Sequence, residues 1–383
     1  MDTFTREDLE QLIKRPQAPC VSIYHATKQE GGGRVPDPAG FKNLLREAED
    51  ALAKAGASPA DMKSRMAGLE GLSDNRDFWS SAFQGIAAFA GSEGVKAWRL
   101  PLAFPDRVVV ASRFHILPLI PLVSEAHRFY LLALSQNAVK LFQGDRAGLR
   151  PLQVEGMPAN LTEALQYYNI HMDVLFRSTT SHGNTPYAGR GAAIEEDAEN
   201  LERFVRPIIQ SLEHALHNDK LPIVVASTTR LAGALREFGA ALPLAKKIVR
   251  GNPDRLSGAE LHAKAWAALA PEFQQAHRSV VRHFAHLDGT GRVSTRLEEI
   301  LQAADAGRIE MLLVEEGAER WGSVNPSDWT VSLHARPEAG DEDLLDRAAA
   351  ATLSNRGKVW VLPKEDFAGL QTAGSPVGSI YRY

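Results

Sequence analysis

Between Arg177 and Gly191 the chain carries no acidic residue, and two arginines and a histidine supply all of its charge. The guanidinium groups of Arg177 and Arg190 suit phosphate oxygens, and the Tyr187 ring suits the face of a base. Gly183, Gly189 and Gly191 leave room for close backbone approach. A loop of this length inside a compact domain is either a functional element or a linker without a partner. Residues 220–257 add a second cationic feature. Lys220, Arg230, Arg236, Lys246, Lys247, Arg250 and Arg255 stand there against only Glu237 and Asp254. A basic patch on an otherwise acidic protein can contact phosphate, although a solvated helix face explains the same composition.

Other chemistry is poorly provided for. His283 and His286, like His214 and His217, have a spacing that can ligate metal. Neither pair has a carboxylate at a motif-defined position, so they read as structural or surface histidines. Gly31–Gly33 lacks the lysine and the helix register of a phosphate cradle and reads as a flexible loop. Glu195, Glu196 and Asp197 are explained by the positive end of a helix that starts there. A metal-dependent nuclease or hydrolase would have to bring Asp145, Asp173 and Glu195 together. No dinucleotide fingerprint or nucleophile elbow is present, and neither a cofactor nor a bound metal is expected.

The formal charge of −4 excludes a generally basic nucleic-acid binder, and residues 258–383 are acidic, with 13 basic against 18 acidic residues. The single cysteine, Cys20, rules out an intrachain disulfide and sits in an apolar run where a buried thiol is expected. The polar start Met1–Glu10 does not resemble a secretory signal, and the apolar run Phe114–Val123 is short and carries two prolines. A cytoplasmic protein without a membrane span is the expectation.

At 383 residues the chain requires more than one domain, and the patterning suggests three. Residues 1–125 read as a divergent α+β domain. It has a strand at Cys20–Tyr24, a helix at Phe41–Ala55, and a hairpin of Gln84–Ala90 with Val95–Leu100 around Gly91-Ser-Glu-Gly94. Residues 126–257 follow with strands at Arg128–Ser135, Ala138–Gln143 and Leu221–Ala226. Helices are expected at Leu161–Phe176 and Glu195–His217, the second kinked at Pro207. Residues 258–383 begin at the capping box Ser257-Gly-Ala-Glu260. A helix to about Leu287, disturbed at Pro271, leads into alternating helices and strands, the pattern of an α/β/α sandwich.

Several stretches in this order resemble one family. Ser294–Val314 is similar to the third domain of archaeo-eukaryotic peptide-chain release factors and Pelota. Phe114–Leu119, Arg128–Ser135, Gly251–Leu256, Glu260-Leu-His262, Trp266 and Ile380–Tyr383 look like its bacterial branch. The resemblance implies an RNase H-like middle domain and a third domain like that of kink-turn-binding ribosomal proteins. True release factors carry a Gly-Gly-Gln loop in the middle domain, whose glutamine helps to place the attacking water. Here His182-Gly183 resembles the lead-in and Gly189-Arg190-Gly191 lies near the tip, but no glutamine occurs between Gln166 and Gln210. The resemblance therefore implies a catalytically silent release-factor homologue that binds the ribosomal A site, acting in ribosome rescue, stress response or hibernation. Its RNA-contact residues would be Arg177, His182, Gly183, Asn184, Tyr187, Gly189, Arg190 and Gly191. The ribosome (rRNA or tRNA) would be the partner, with a translational GTPase as a candidate on the third domain. The nuclease or hydrolase remains an alternative, as does a scaffold whose acidic third domain binds other proteins.

Overall fold

A computed structural model describes the chain apart from residues 1, 3, 15–17, 31–32, 81–82, 125–126, 165–189, 218, 326–328, 339 and 371–373, and apart from the side chains of 29–30, 33–34 and 190–200. It is a mixed α/β protein with several sheets and two compact units, residues 1–127 with 274–383, and residues 128–273. Among the described residues no helix is long and apolar enough to cross a membrane.

The first unit opens with a short helix (Arg6–Lys14), followed by β1 (Cys20–Ala26), a buried inner strand of a four-stranded antiparallel sheet. Val21 and Ile23 point into a core with Phe41, Leu44, Leu45, Ala48 and Leu52 of α1 (Pro38–Lys54). Asp37 caps α1 by accepting the Gly40 N–H at 3.0 Å, and Pro38 occupies the first turn, so the helix begins earlier than its apolar period suggests. A second helix, α2 (Pro59–Asp74), is capped by Ser58. The expected hairpin is present as β2 (Gly85–Gly91) and β3 (Gly94–Leu100), and β4 (Arg107–Ala111) flanks β1 on its other side. Cys20 is buried, as its apolar run suggests.

The second unit is a sheet covered on both faces. β5 (Phe129–Leu134) pairs with β6 (Val139–Asp145), which pairs with β7 (Gly148–Leu152), both antiparallel. Beyond α3 (Arg190–Ala215), β8 (Ile223–Ser227) returns parallel to β5. After α4 (Thr229–Phe238), β9 (Val249–Arg250) adds in parallel at the edge. Phe204, Val205, Ile208, Ile209 and Leu212 of α3 cover one face, together with Leu231 and Leu235 of α4. Leu261, Ala265, Leu269 and Phe273 of α5 (Gly258–Leu287) cover the other. Gly144 on β6 lies against the Phe129 ring, where a Cβ would come within 2.4 Å of a ring carbon. Pro207 and Pro271 both lie inside continuous helices. The boundary between the units, 273/274, falls within α5.

The first unit resumes with a mixed sheet. β10 (Val293–Ser294), α6 (Leu297–Asp305) and β11 (Ile309–Glu315) lead to a small sheet of β12 (Trp321–Val324), β13 (Val331–His334) and β14 (Glu342–Asp343). Then come α7 (Leu344–Ser354), β15 (Lys358–Leu362) and β16 (Val377–Tyr381). The large sheet runs β10-β16-β11-β15. Val280, Val281 and Phe284 of α5 pack against it through Leu313, Leu362 and Ile380.

A buried polar cluster joins the two halves of this unit. His115 Nε2 lies 3.2 Å from Asp343 Oδ2, and Asp346 Oδ1 accepts the Ile116 and Leu117 N–H groups, each at 2.6 Å. Burial pushes the Asp346 carboxyl up to about 6, helped by the neighbouring Asp343 charge, against the opposing pull of His115 and the two N–H donors. Burial also opposes the charged form of His115, but Asp346 and Asp343 outweigh it and hold the imidazole above its ordinary value. Both folded values exceed the unfolded ones. Their stabilising contribution is therefore complete below the unfolded values and is lost as pH rises through the folded ones. Asp346→Asn keeps an oxygen acceptor and removes this titration. Its melting temperature, measured by calorimetry against the native chain, is expected to gain several degrees between pH 5 and pH 7. A pH-independent difference would contradict the assignment.

Candidate functional site

β5, β8 and β9 run parallel, so their carboxyl ends meet at one edge of the middle sheet. The chain leaves β5 toward β6 on one side and returns to β8 on the other. In open α/β sheets a ligand crevice forms outside the strand ends at such a reversal. Here it is a cleft of about 340 Å³. Leu161, Leu201, Phe204 and Leu231 form an apolar wall, and Gln136, Asn137, Thr228, Arg230 and Asn252 contribute polar groups.

Hydrogen bonds fix this edge. The Ser135 hydroxyl donates to Asp254 Oδ2 at 2.8 Å and accepts the Asn137 and Ala138 N–H groups at 3.1 and 2.9 Å. The Ser227 hydroxyl donates to the Leu134 carbonyl at 2.7 Å, and Asn252 Oδ1 accepts the Asp254 N–H at 3.0 Å. Thr228 starts α4 without a side-chain cap. The arrangement offers one hydrophobic face and a polar rim with a guanidinium. It can bind a flat or anionic group.

The basic residues of 220–257 fall into two groups. Arg230 lies in the first turn of α4, Arg250 ends β9, and Arg255 lies in the 3-10 turn Pro253–Arg255 that follows, all after the carboxyl ends of the parallel strands. Arg236 lies at the other end of α4, where its Nη2 donates to the carbonyls of Ala245 and Lys246 at 2.8 and 2.5 Å. Lys246 and Lys247 are exposed in that connection, and the Lys246 N–H donates to Glu272.

Of the loop residues, Arg177, His182, Gly183, Asn184, Tyr187 and Gly189 lie outside the described residues. Arg190 and Gly191 are the first residues of α3, so the helix starts before Glu195, where the acidic run suggested its beginning. Asp145 ends β6, and its Oδ1 accepts the Ala147 and Gly148 N–H groups of the turn that follows. The side chains of Asp173 and Glu195 are outside the described set. Among the described residues no group of three or more His, Cys, Asp or Glu side chains could hold a metal. Sequence reading missed Ser135, Thr228 and Asn252, which carry no motif. Their only signal is their position just past three strand ends.

Residues 128–308 match the sequence model of bacterial archaeo-eukaryotic release factor family 3. By this match residues 128–308 belong to the bacterial archaeo-eukaryotic release factor family. No curated protein sequence matches significantly. Among solved structures, archaeal translation termination factor aRF1 aligns at 15% identity over 98% of this chain and 96% of its own, with a TM-score of 0.24. Ribosome-bound archaeal Pelota, solved with ABCE1, aligns at 12% identity over 98% and 92%, with a TM-score of 0.40. Dom34 of S. cerevisiae, a translation termination-like factor interacting with Hbs1, aligns at 13% identity over 82% and 78%, with a TM-score of 0.34. In this release-factor homologue the family match covers the whole cleft-bearing unit.

Ser135→Ala removes a buried acceptor of two N–H groups and the bond to Asp254. The expected loss is about 1–3 kcal/mol in urea denaturation. An unchanged midpoint would show that the cleft edge does not depend on this hydroxyl.

Proposed function

We propose that this release-factor homologue binds the ribosomal A site without catalysing peptide release, and acts in the cytoplasm in ribosome rescue, stress response or hibernation. The observation that carries the reading is the family match over residues 128–308 combined with the lack of any glutamine between Gln166 and Gln210. Placing water for attack on an ester needs a polar group held at the reacting centre. The stretch from Arg177 to Gly191 offers arginines, a histidine, a tyrosine and glycines instead, a set suited to RNA contact. Arg230, Arg250 and Arg255, exposed after the parallel strand ends, support an RNA-facing edge on the same unit. A translational GTPase is the candidate protein partner of the C-terminal segment.

Purified protein is expected to sediment with vacant bacterial ribosomes in a saturable, salt-sensitive manner. Arg177→Ala/Arg190→Ala is expected to weaken that binding and to flatten its salt dependence by about one to two units in slope. Absence of binding at low salt would sink direct recognition of vacant ribosomes. On ribosomes loaded with peptidyl-tRNA, the protein is expected to release no peptide above the rate without factor. Release would refute the silent reading.

A further inference from the structure

We propose that the β10-β16-β11-β15 sheet end carrying Arg292, Arg308, Arg356, Lys358 and Arg382 is a second RNA-binding surface, engaging a phosphate backbone. Each of the four neighbouring strands brings a cation to the same end. Arg292 precedes β10, Arg382 follows β16, Arg308 precedes β11, and Lys358 opens β15 just after Arg356. The alignment is fixed by backbone bonds. The Tyr381 N–H donates to the Arg292 carbonyl at 2.8 Å, and the Arg382 N–H to the Arg308 carbonyl at 2.9 Å. With strands about 4.8 Å apart, the row spans roughly 14 Å.

Two of the guanidinium groups are held in place without losing their charge. Arg382 donates from Nε to the Ile309 carbonyl at 3.2 Å and from Nη2 to the Asn355 carbonyl at 2.6 Å. Arg292 donates from Nη2 to the Tyr381 carbonyl at 3.1 Å, with Glu310 at 3.8 Å. Such side chains give up less conformational freedom on meeting a phosphate. Arg308, Arg356, Lys358 and Arg382 are exposed, and among the described residues none of the four pairs with a carboxylate. Glu310 and the exposed Asp288 are the opposing charges in the neighbouring segments.

The surroundings favour a polyanion. Residues 258–383 hold 13 basic and 18 acidic residues, and five of the basic ones stand in this row. Outside the row that segment keeps an acidic excess even with Asp341, Asp343 and Asp346 buried, and such an excess disfavours a polyanion elsewhere. Gly289 and Gly291 in the adjoining turn present no side chain against an approaching backbone. Tyr383, 82% exposed, follows Arg382 and offers a ring on which a base can stack. This surface is separate in sequence from the basic residues of 220–257 and stands on its own observations.

The test is fluorescence anisotropy of the full-length chain with a labelled RNA hairpin bearing a single-stranded tail, between about 50 and 200 mM salt. Arg308→Gln/Arg356→Gln/Lys358→Gln removes three exposed charges whose side chains make no hydrogen bond among the described residues. It is expected to lower the salt slope by ~2 and weaken binding about 10- to 100-fold. Lys54→Gln/Lys63→Gln/Arg76→Gln removes as much charge elsewhere and is expected to change neither. An unchanged slope in the first variant, an equal fall in both, or no RNA binding by the native chain would overturn the proposal. Arg230→Gln/Arg250→Gln/Arg255→Gln, measured alongside, reads the middle unit separately. A loss confined to that variant would refute the row while leaving the A-site reading in place.

Discussion

Phe129–Leu134 leaves none of its side chains in water. Successive residues of a strand point to opposite faces, so this one strand feeds both cores of the middle unit. Tyr130, Leu132 and Leu134 meet α3 and α4, while Phe129 and Leu131 meet α5. A strand buried on both faces must have cover on both, and its backbone groups must be paired on both edges. β6 supplies one edge and β8 the other. Because β8 and β9 run parallel to β5, their carboxyl ends coincide with its own. The cleft, its polar rim and Arg230 follow from that coincidence.

The first unit depends on a costlier device. His115, Asp343 and Asp346 are buried where the N-terminal sheet meets α7. Charge is tolerated there only because opposite charge and backbone donors offset desolvation. Asp346 takes two N–H groups, and Asp343 Oδ1 takes those of Arg320 and Leu345. The row of cations at the far sheet end illustrates the opposite regime. Arg292 and Arg382 are tied there to carbonyls, which fix position without neutralising charge. The first arrangement spends charge on holding the unit together, and the second leaves it available to solvent and ligands.

Local pattern revealed elements whose signal was periodic or punctuated. The β2–β3 hairpin was readable because Gly91-Ser-Glu-Gly94 separates two apolar runs, and Gly94 has the positive φ of 109° that a glycine tolerates. The body of α1 was readable from Phe41, Leu44, Leu45, Ala48 and Leu52. Its start was not, because Asp37 and Pro38, the cap and first turn, precede the apolar period. β9 has two residues, too few for any period, and β7 contains Pro151, which argues against a strand unless it lies at an edge. The cleft rim was invisible for a related reason. Ser135, Thr228 and Asn252 have ordinary neighbours, and only the sheet brings them to one place.

The sequence by itself determined the class of protein. Its ordered motifs point to the release-factor family, its buried runs to a mixed α/β fold, and it places no glutamine between Gln166 and Gln210. These are properties of residue identity and short-range period, which a chain displays before it folds. Tertiary structure decided which distant residues share an edge. It divided the basic stretch of 220–257 between two ends of α4, and it gathered Arg292, Arg308, Arg356, Lys358 and Arg382 onto one sheet end. Strand order and direction set those neighbours, and both are fixed by long-range pairing and burial, to which no local pattern is sensitive.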